Sequence, residues 1–252
     1  MPQTKNADIV FCLDTSASMQ PCIEAVKTQI SSFVETFQES SQLPWDLRLG
    51  LLAHRATVSP HNQDAAVVGT AFLDQVKDPG LAAIYRGDDT LFTRDVAAFR
   101  RALAKLQPLG DEAMLFALDC VLDFPWRDAS TCHRVVVMLT DESIEEGLML
   151  AQSRGIVPEL VQKIMNLRVM LFMVGPESAL LEQLSMVDRS EWEIVGGYDG
   201  LRAVDFRKLL QGIARSVSVS NFGQQAAPNA PKKALFGQND WESIQGVTFI
   251  GR

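Results

Sequence analysis

The hydrophobic residues of this chain form short continuous runs, separated by segments with helical periodicity. Four runs have the length of a strand and are rich in Val, Ile, Leu and Met: 9–13, 47–53, 135–139 and 169–174. Continuous runs of this kind are typical of strands that are buried on both faces of a parallel sheet. We also predict an edge strand at 67–73 and a short last strand at 191–195.

The segments between these runs predict helices. Their apolar residues recur every three or four positions, and several segments begin with Pro or with a capping residue. The predicted helices cover residues 21–37, 93–106, 113–122, 158–167, 176–186 and 205–217. Alternating strands and helices predict an α/β fold, with a doubly wound, mostly parallel sheet and helices on both faces. Binding sites in such folds lie at the carboxyl ends of the strands.

The composition changes towards the C-terminal end. Residues 221–233 are rich in Gln, Ala, Pro and Asn, which is typical of a linker. Residues 234–252 are apolar again and include Trp241 and Phe249. Large apolar side chains are costly to leave in water. We therefore predict one domain over 1–220, a linker over 221–233 and an apolar tail over 234–252 that docks on its own domain or on a partner.

Composition and charge narrow the classes of function. The 252 residues include 23 Lys plus Arg and 31 Asp plus Glu, which gives a net charge of −8. This balance argues against a nucleic-acid binder and against binding to an anionic membrane. The four cysteines form no C-x-x-C pair, so a zinc or redox motif has no support. Because neither a signal peptide nor a long apolar run is found, we expect a soluble, cytoplasmic protein.

Two polar segments directly follow predicted strands. Asp14, Ser16 and Ser18 alternate after the first run, and Asp141 follows the run at 135–139. In an extended turn alternate residues point to one side, so three oxygen donors converge and a carboxylate can join them from the other loop. Such hard oxygen ligands suit Mg²⁺, Mn²⁺ or Ca²⁺. A helix-capping loop is the structural alternative for the first segment, and the combination of all four residues favours a metal site.

At these residues the sequence resembles a known family. The segment from Val10 to Met19 is similar to the D-x-S-x-S loop of von Willebrand factor A (vWA) domains, in particular the intracellular bacterial type. The segments 47–52, 135–141 and 169–175 are similar to later strands of the family, in the same order. The resemblance implies a Rossmann-like vWA fold. It also implies a metal-ion-dependent adhesion site (MIDAS) in which Asp14, Ser16, Ser18 and Asp141 bind the metal.

The middle loop of the MIDAS departs from the family pattern. The family normally has a Thr there, and this chain has none; counting back from Ala117 places Glu112, or with a shift Asp111, at that position. An acid at the metal would neutralise its charge, bind it more tightly, shift the preference towards Ca²⁺ and attract an acidic ligand less. Two alternatives stay open. Glu112 faces away and the site is weakened, or the site has lost its metal and the domain binds partners without one.

The resemblance implies a non-enzymatic protein-interaction module, a scaffold or adaptor. A protein partner would dock with an acidic side chain on the metal. Intracellular bacterial vWA proteins of this size often serve AAA+ ATPases or stress-response and conflict systems.

Two other hypotheses compete with this one. A metal-dependent phosphatase or phosphotransferase of the haloacid-dehalogenase type also has an Asp after its first strand. It needs a second carboxylate two residues later, where this chain has Ser16. In the third hypothesis the domain is a structural subunit, and residues 221–252 carry the function.

Overall fold

A computed structural model describes residues 4–39, 44–54, 56–58, 65–67, 91–106, 114–141, 143–145, 150–195, 201, 204–219 and 248–249. The strands are β1 (Lys5–Asp14), β2 (Trp45–His54), β3 (Ala56–Val58), β4 (Ala65–Val67), β5 (Phe92–Thr93), β6 (His133–Leu139), β7 (Val169–Gly175), β8 (Ser190–Ile194) and β9 (Thr248–Phe249). The helices are α1 (Gln20–Glu39), α2 (Val96–Ala104), α3 (Met114–Leu122), α4 (Leu150–Leu167), α5 (Ala179–Ser185) and α6 (Phe206–Val219). A short 3-10 turn, Ala17–Met19, connects β1 to α1.

The main sheet is mostly parallel. Within the described residues its strands lie in the order β5-β2-β1-β6-β7-β8-β9. The five central strands are parallel to one another, whereas β5 and β9 are antiparallel at the two edges. Strands β3 and β4 form a separate antiparallel pair. This arrangement confirms the predicted α/β fold with a doubly wound sheet.

Two apolar layers cover the sheet, one on each face. On β1 the consecutive residues Phe11 and Cys12 belong to opposite layers, because successive side chains of a strand point to opposite faces of the sheet. The first layer packs the sheet against α1, α2 and α6, and the second packs it against α3, α4 and α5. Central strands buried on both faces explain why their sequences read as continuous apolar runs. None of the described helices is long and apolar enough to cross a membrane.

One predicted helix starts elsewhere in the structure, and one predicted strand lies mostly outside the described residues. The helix expected to start at Pro158 begins eight residues earlier, at Leu150, and Pro158 lies inside it. A proline inside a helix removes one backbone hydrogen bond, but here Val157 and Leu160 on either side of it are buried in the second apolar layer. The predicted edge strand at 67–73 lies mostly outside the described residues. The strand observed at the edge beside β2 is β5.

The register of β1 against β6 decides which loops meet. These adjacent parallel strands pair Leu13 with Leu139. The next residues, Asp14 and Thr140, therefore leave the sheet side by side. The polar segments that follow the two strands come together at the carboxyl edge of the sheet, as expected for this fold.

Near the amino ends of the central strands, opposite the candidate site, a buried ion-pair network ties β1 to β2 and to the segment before β6. Asp8 is fully buried and accepts hydrogen bonds from Arg48 Nε at 2.8 Å and Nη2 at 2.7 Å. It also accepts from the backbone N and the Nε of Arg127, both at 2.8 Å. Burial raises the pKa of Asp8, but the hydrogen bonds from Arg48 and Arg127 outweigh it, so the pKa is lowered.

We predict that Arg48→Met destabilises the protein far more than Arg94→Met. Removing Arg48 leaves a buried carboxylate short of its donors, which costs about 3 to 5 kcal/mol. Arg94 pairs with Asp46 at the surface, where its side chain is 63% exposed, and an exposed pair contributes about 1 kcal/mol or less. Urea unfolding measures both effects. Equal losses for the two variants would contradict the assigned role of the Asp8 network.

Strand β8 contains a second buried acid, Glu193. Its side chain is 3% exposed, and neither carboxylate oxygen has a hydrogen-bond partner among the described residues. Burial raises the pKa of Glu193 from 4.5 to about 7. Between these two values the folded protein holds a proton that the unfolded chain has lost. The stability therefore falls as the pH rises through this window.

We predict that Glu193→Gln removes the contribution of this acid to the pH dependence of stability. The shift corresponds to about 3 kcal/mol at about 1.4 kcal/mol per pKa unit, so the variant is expected to be more stable than wild type at pH 8 and similar to it below pH 4.5. Urea unfolding across this pH range gives the comparison. The exposed Glu35→Gln variant controls for the loss of one charge. If the free energy of unfolding changes with pH in the same way in Glu193→Gln and Glu35→Gln, the prediction is contradicted.

Candidate functional site

The carboxylate of Asp14 lies at the bottom of the candidate site. Asp14 is the last residue of β1 and is fully buried. Its Oδ1 accepts a hydrogen bond from the backbone N of Ser16 at 2.7 Å. Its Oδ2 accepts one from Thr140 Oγ1 at 3.2 Å. Donors from two different loops therefore hold the carboxylate.

Hydroxyl groups extend the site towards its surface. Ser16 Oγ lies 3.0 Å from Ser18 Oγ and donates to Asp141 Oδ1 at 3.4 Å. Ser16 stands at the N-cap position of the 3-10 turn, but its side chain makes no capping hydrogen bond. Its hydroxyl faces the other site residues instead. The geometry thus favours a ligand-binding loop over a capping loop.

The electrostatics of the site favour a cation. The pKa of Asp14 is raised to about 7, mainly by burial and also by the nearby charge of Asp141, against the lowering effect of the hydrogen bonds from Ser16 and Thr140. Two carboxylates close together repel each other, and a cation between them removes the repulsion. The pKa of the buried Cys22 thiol is raised mainly by burial and also by these two acids. Cys22 is therefore a neutral thiol beside the site.

Among the described residues, the site is buried at its base and exposed at its other side. Asp14 is fully buried and Ser16 is 4% exposed, whereas Asp141 is half-buried and Ser18 is exposed. An ion held by the hydroxyls and by Asp141 would therefore face solvent. A ligand from another molecule could reach it from that side.

The oxygen spacing fits a divalent cation. Adjacent ligands of an octahedral Mg²⁺ site with bonds of about 2.1 Å lie about 3.0 Å apart, and the longer bonds of Ca²⁺ give about 3.4 Å. The Ser16–Ser18 and Ser16–Asp141 oxygen distances, 3.0 and 3.4 Å, span these values. Within the described ranges, no three His, Cys, Asp or Glu side chains cluster closely enough to hold a metal. Among the described residues, a cation here would be held by the serine hydroxyls together with the carboxylates of Asp14 and Asp141.

The structure brings together four of the six predicted site residues. Asp14, Ser16, Ser18 and Asp141 share hydrogen bonds or neighbouring positions at the carboxyl edge of the sheet. Asp111 and Glu112 lie outside the described residues, so their role at the metal stays a prediction.

Sequence reasoning missed two residues of the site. Thr140, which precedes Asp141 in the sequence, is fully buried and donates to Asp14. Gly175 ends β7 beside it; a Cβ at Gly175 would lie 2.9 Å from Thr140 Cγ2 and 3.3 Å from Thr140 O. The signals available were the position of Thr140 directly after a buried strand and the Gly that ends the neighbouring strand.

Comparisons with known proteins bear on the fold. No family model matches the sequence, and no curated protein sequence matches it. A von Willebrand factor type A structure from Catenulispora acidiphila is similar to the chain with a TM-score of 0.50 and 17% identity, covering 84% of this chain and 43% of that one. Proximal thread matrix protein 1 from the mussel byssus is similar with a TM-score of 0.50 and 13% identity, covering 85% and 49%.

These similarities show the class of fold. The chain has the fold of vWA domains, as the D-x-S-x-S segment and the strand order predicted. It spans less than half the length of either solved protein. At these identities the fold alone is shared.

Proposed function

We propose that this protein is a non-enzymatic protein-interaction module that binds its partner through a divalent cation. The observation that carries the proposal is the convergence of Asp14, Ser16, Ser18 and Asp141 at an open edge of a vWA-fold sheet. A vWA fold suggests an interaction module, and these oxygen donors supply a means of interaction.

Each site residue has a distinct part in this proposal. Ser16, Ser18 and Asp141 hold the cation from the exposed side, and the buried carboxylate of Asp14 binds it from beneath. The bound ion, Mg²⁺ or alternatively Mn²⁺ or Ca²⁺, would offer positive charge and open coordination positions to a carboxylate of the partner. A negatively charged protein that binds an acidic partner needs such a local positive charge, because its net charge of −8 repels the partner.

The competing interpretation, a phosphatase of the haloacid-dehalogenase type, has weaker support. Its acid-base carboxylate would stand at the position of Ser16, and a serine hydroxyl does not exchange protons readily near neutral pH. Hydrolysis of para-nitrophenyl phosphate with Mg²⁺ tests it. Turnover that disappears in Asp14→Asn would favour the phosphatase over the interaction module.

We predict that Mg²⁺ or Mn²⁺ raises the melting temperature of the wild type over that in EDTA. An ion at a hundred times its Kd stabilises the folded state by about 2.7 kcal/mol, which is a shift of about 5 to 10 °C for a domain of this size. Asp14→Asn is expected to abolish the shift. Asp188→Asn, at an exposed position of the opposite edge, is the matched control and should keep it.

The order of the ions in the same experiment reports the number of acids at the metal. A preference for Ca²⁺ that disappears in Asp111→Ala or Glu112→Ala would identify the residue that replaces the missing Thr. No shift of the wild type with any ion would overturn the metal-dependent mechanism. The hypothesis that residues 221–252 carry the function would then be tested by deleting them and measuring partner binding.

We also predict metal-dependent partner binding. Affinity-tagged wild type should retain a partner in Mg²⁺ and release it in EDTA, because the partner's carboxylate needs the ion. Asp14→Asn should retain none, and Asp188→Asn should behave as the wild type. Quantitative mass spectrometry compares the four samples. A partner retained equally in EDTA and by Asp14→Asn would contradict a metal-bridged interface.

A further inference from the structure

One buried hydroxyl at the site is not among the proposed metal ligands. We propose that Thr140 is a positioning residue, whose hydroxyl fixes the orientation of the Asp14 carboxylate for the metal and for which Gly175 provides the space. This inference rests on the proposed metal site and adds a residue to it.

The carboxylate of Asp14 keeps one orientation because donors hold each of its two oxygens. The terminal torsion of an aspartate is broad, so hydrogen bonds rather than a rotamer preference determine where its oxygens point. The backbone N of Ser16 holds Oδ1, and Thr140 Oγ1 holds Oδ2. Without the Thr140 hydroxyl, the carboxylate keeps its contacts with Ser16 but loses the donor that holds Oδ2 from the neighbouring strand.

Thr140 is itself held in place by the neighbouring strand. Its backbone N donates to Val174 O at 3.0 Å, which extends the pairing of β6 with β7 by one residue. Its side chain crosses to the end of β1, on the other side of β6. Thr140 therefore connects three strands, and Asp141 follows it directly.

Gly175 is what allows this placement. A Cβ at Gly175 would lie 2.9 Å from Thr140 Cγ2, a distance that packed carbon atoms do not adopt without a shift. The backbone O of Gly175 accepts from Val195 N at 2.9 Å, so β7 is held from its other side as well. An alanine would therefore displace the Thr140 side chain and disturb its hydrogen bond to Asp14, while the hydroxyl groups of Ser16 and Ser18 are not touched.

The test compares Mn²⁺ affinity, measured by electron paramagnetic resonance, in full-length variants. Thr140→Val keeps the shape and removes the donor, and Thr140→Ser keeps the donor. Loss of a hydrogen bond that orients a ligand weakens metal binding by about 10- to 100-fold. We expect this loss in Thr140→Val and affinity within about threefold of wild type in Thr140→Ser. Thr28→Val, at an exposed position of α1, is the control and should bind as the wild type.

Melting temperatures in EDTA separate positioning from stability. A lower metal-free melting temperature of Thr140→Val with unchanged Mn²⁺ affinity would show a structural role only and overturn the inference. Equal losses of affinity in Thr140→Val and Thr140→Ser would also overturn it, because the hydroxyl would not be the cause. If Thr140→Val does not fold, Gly175→Ala replaces it, with weakened Mn²⁺ binding expected and unchanged binding overturning the inference. A wild type that binds no Mn²⁺ overturns the proposed function itself, together with this inference.

Discussion

The pairing of β1 with β6 is the constraint on which the rest of the site depends. Leu13 lies opposite Leu139 in parallel strands at the centre of the sheet, and the side chains on both faces are buried in the two apolar layers. A shift of one residue would turn each strand's side chains to the opposite face, so the core fixes the register. The register in turn places Asp14 beside Thr140 and lets two loops distant in sequence share one set of hydrogen bonds. Near the amino ends of the strands, the Asp8 network also holds β1, joining it to β2 and to the segment before β6.

Most of the sheet follows from the sequence because its central strands have one unambiguous pattern. Runs buried on both faces cannot be exposed without cost, and four such runs became β1, β2, β6 and β7. The start of α4 could not be predicted in this way. A proline favours the first turn of a helix, and tertiary packing kept residues on both sides of Pro158 helical. Strand β5 has only two residues, Phe92–Thr93, which is too short for any periodicity to reveal.

The candidate site divides in the same manner. Asp14, Ser16, Ser18 and Asp141 are predictable because alternate spacing and position after a strand are local features of the sequence. The part played by Thr140 is not local, since its partners Asp14 and Gly175 come from two other strands. The burial of Asp14 likewise depends on the assembled sheet. Without Thr140 and Asp141, which follow β6, the segment with Asp14, Ser16 and Ser18 would be an ordinary capping loop.

The most direct test of the central claim is a crystal structure of the protein grown with Mn²⁺, with anomalous diffraction recorded near the manganese absorption edge. The account predicts an anomalous peak within about 2.0 to 2.6 Å of Ser16 Oγ and Ser18 Oγ, on the solvent side of Asp14. If crystals in which the site is accessible show no peak there, or show manganese only elsewhere on the protein, the claim that these residues form a metal site is contradicted.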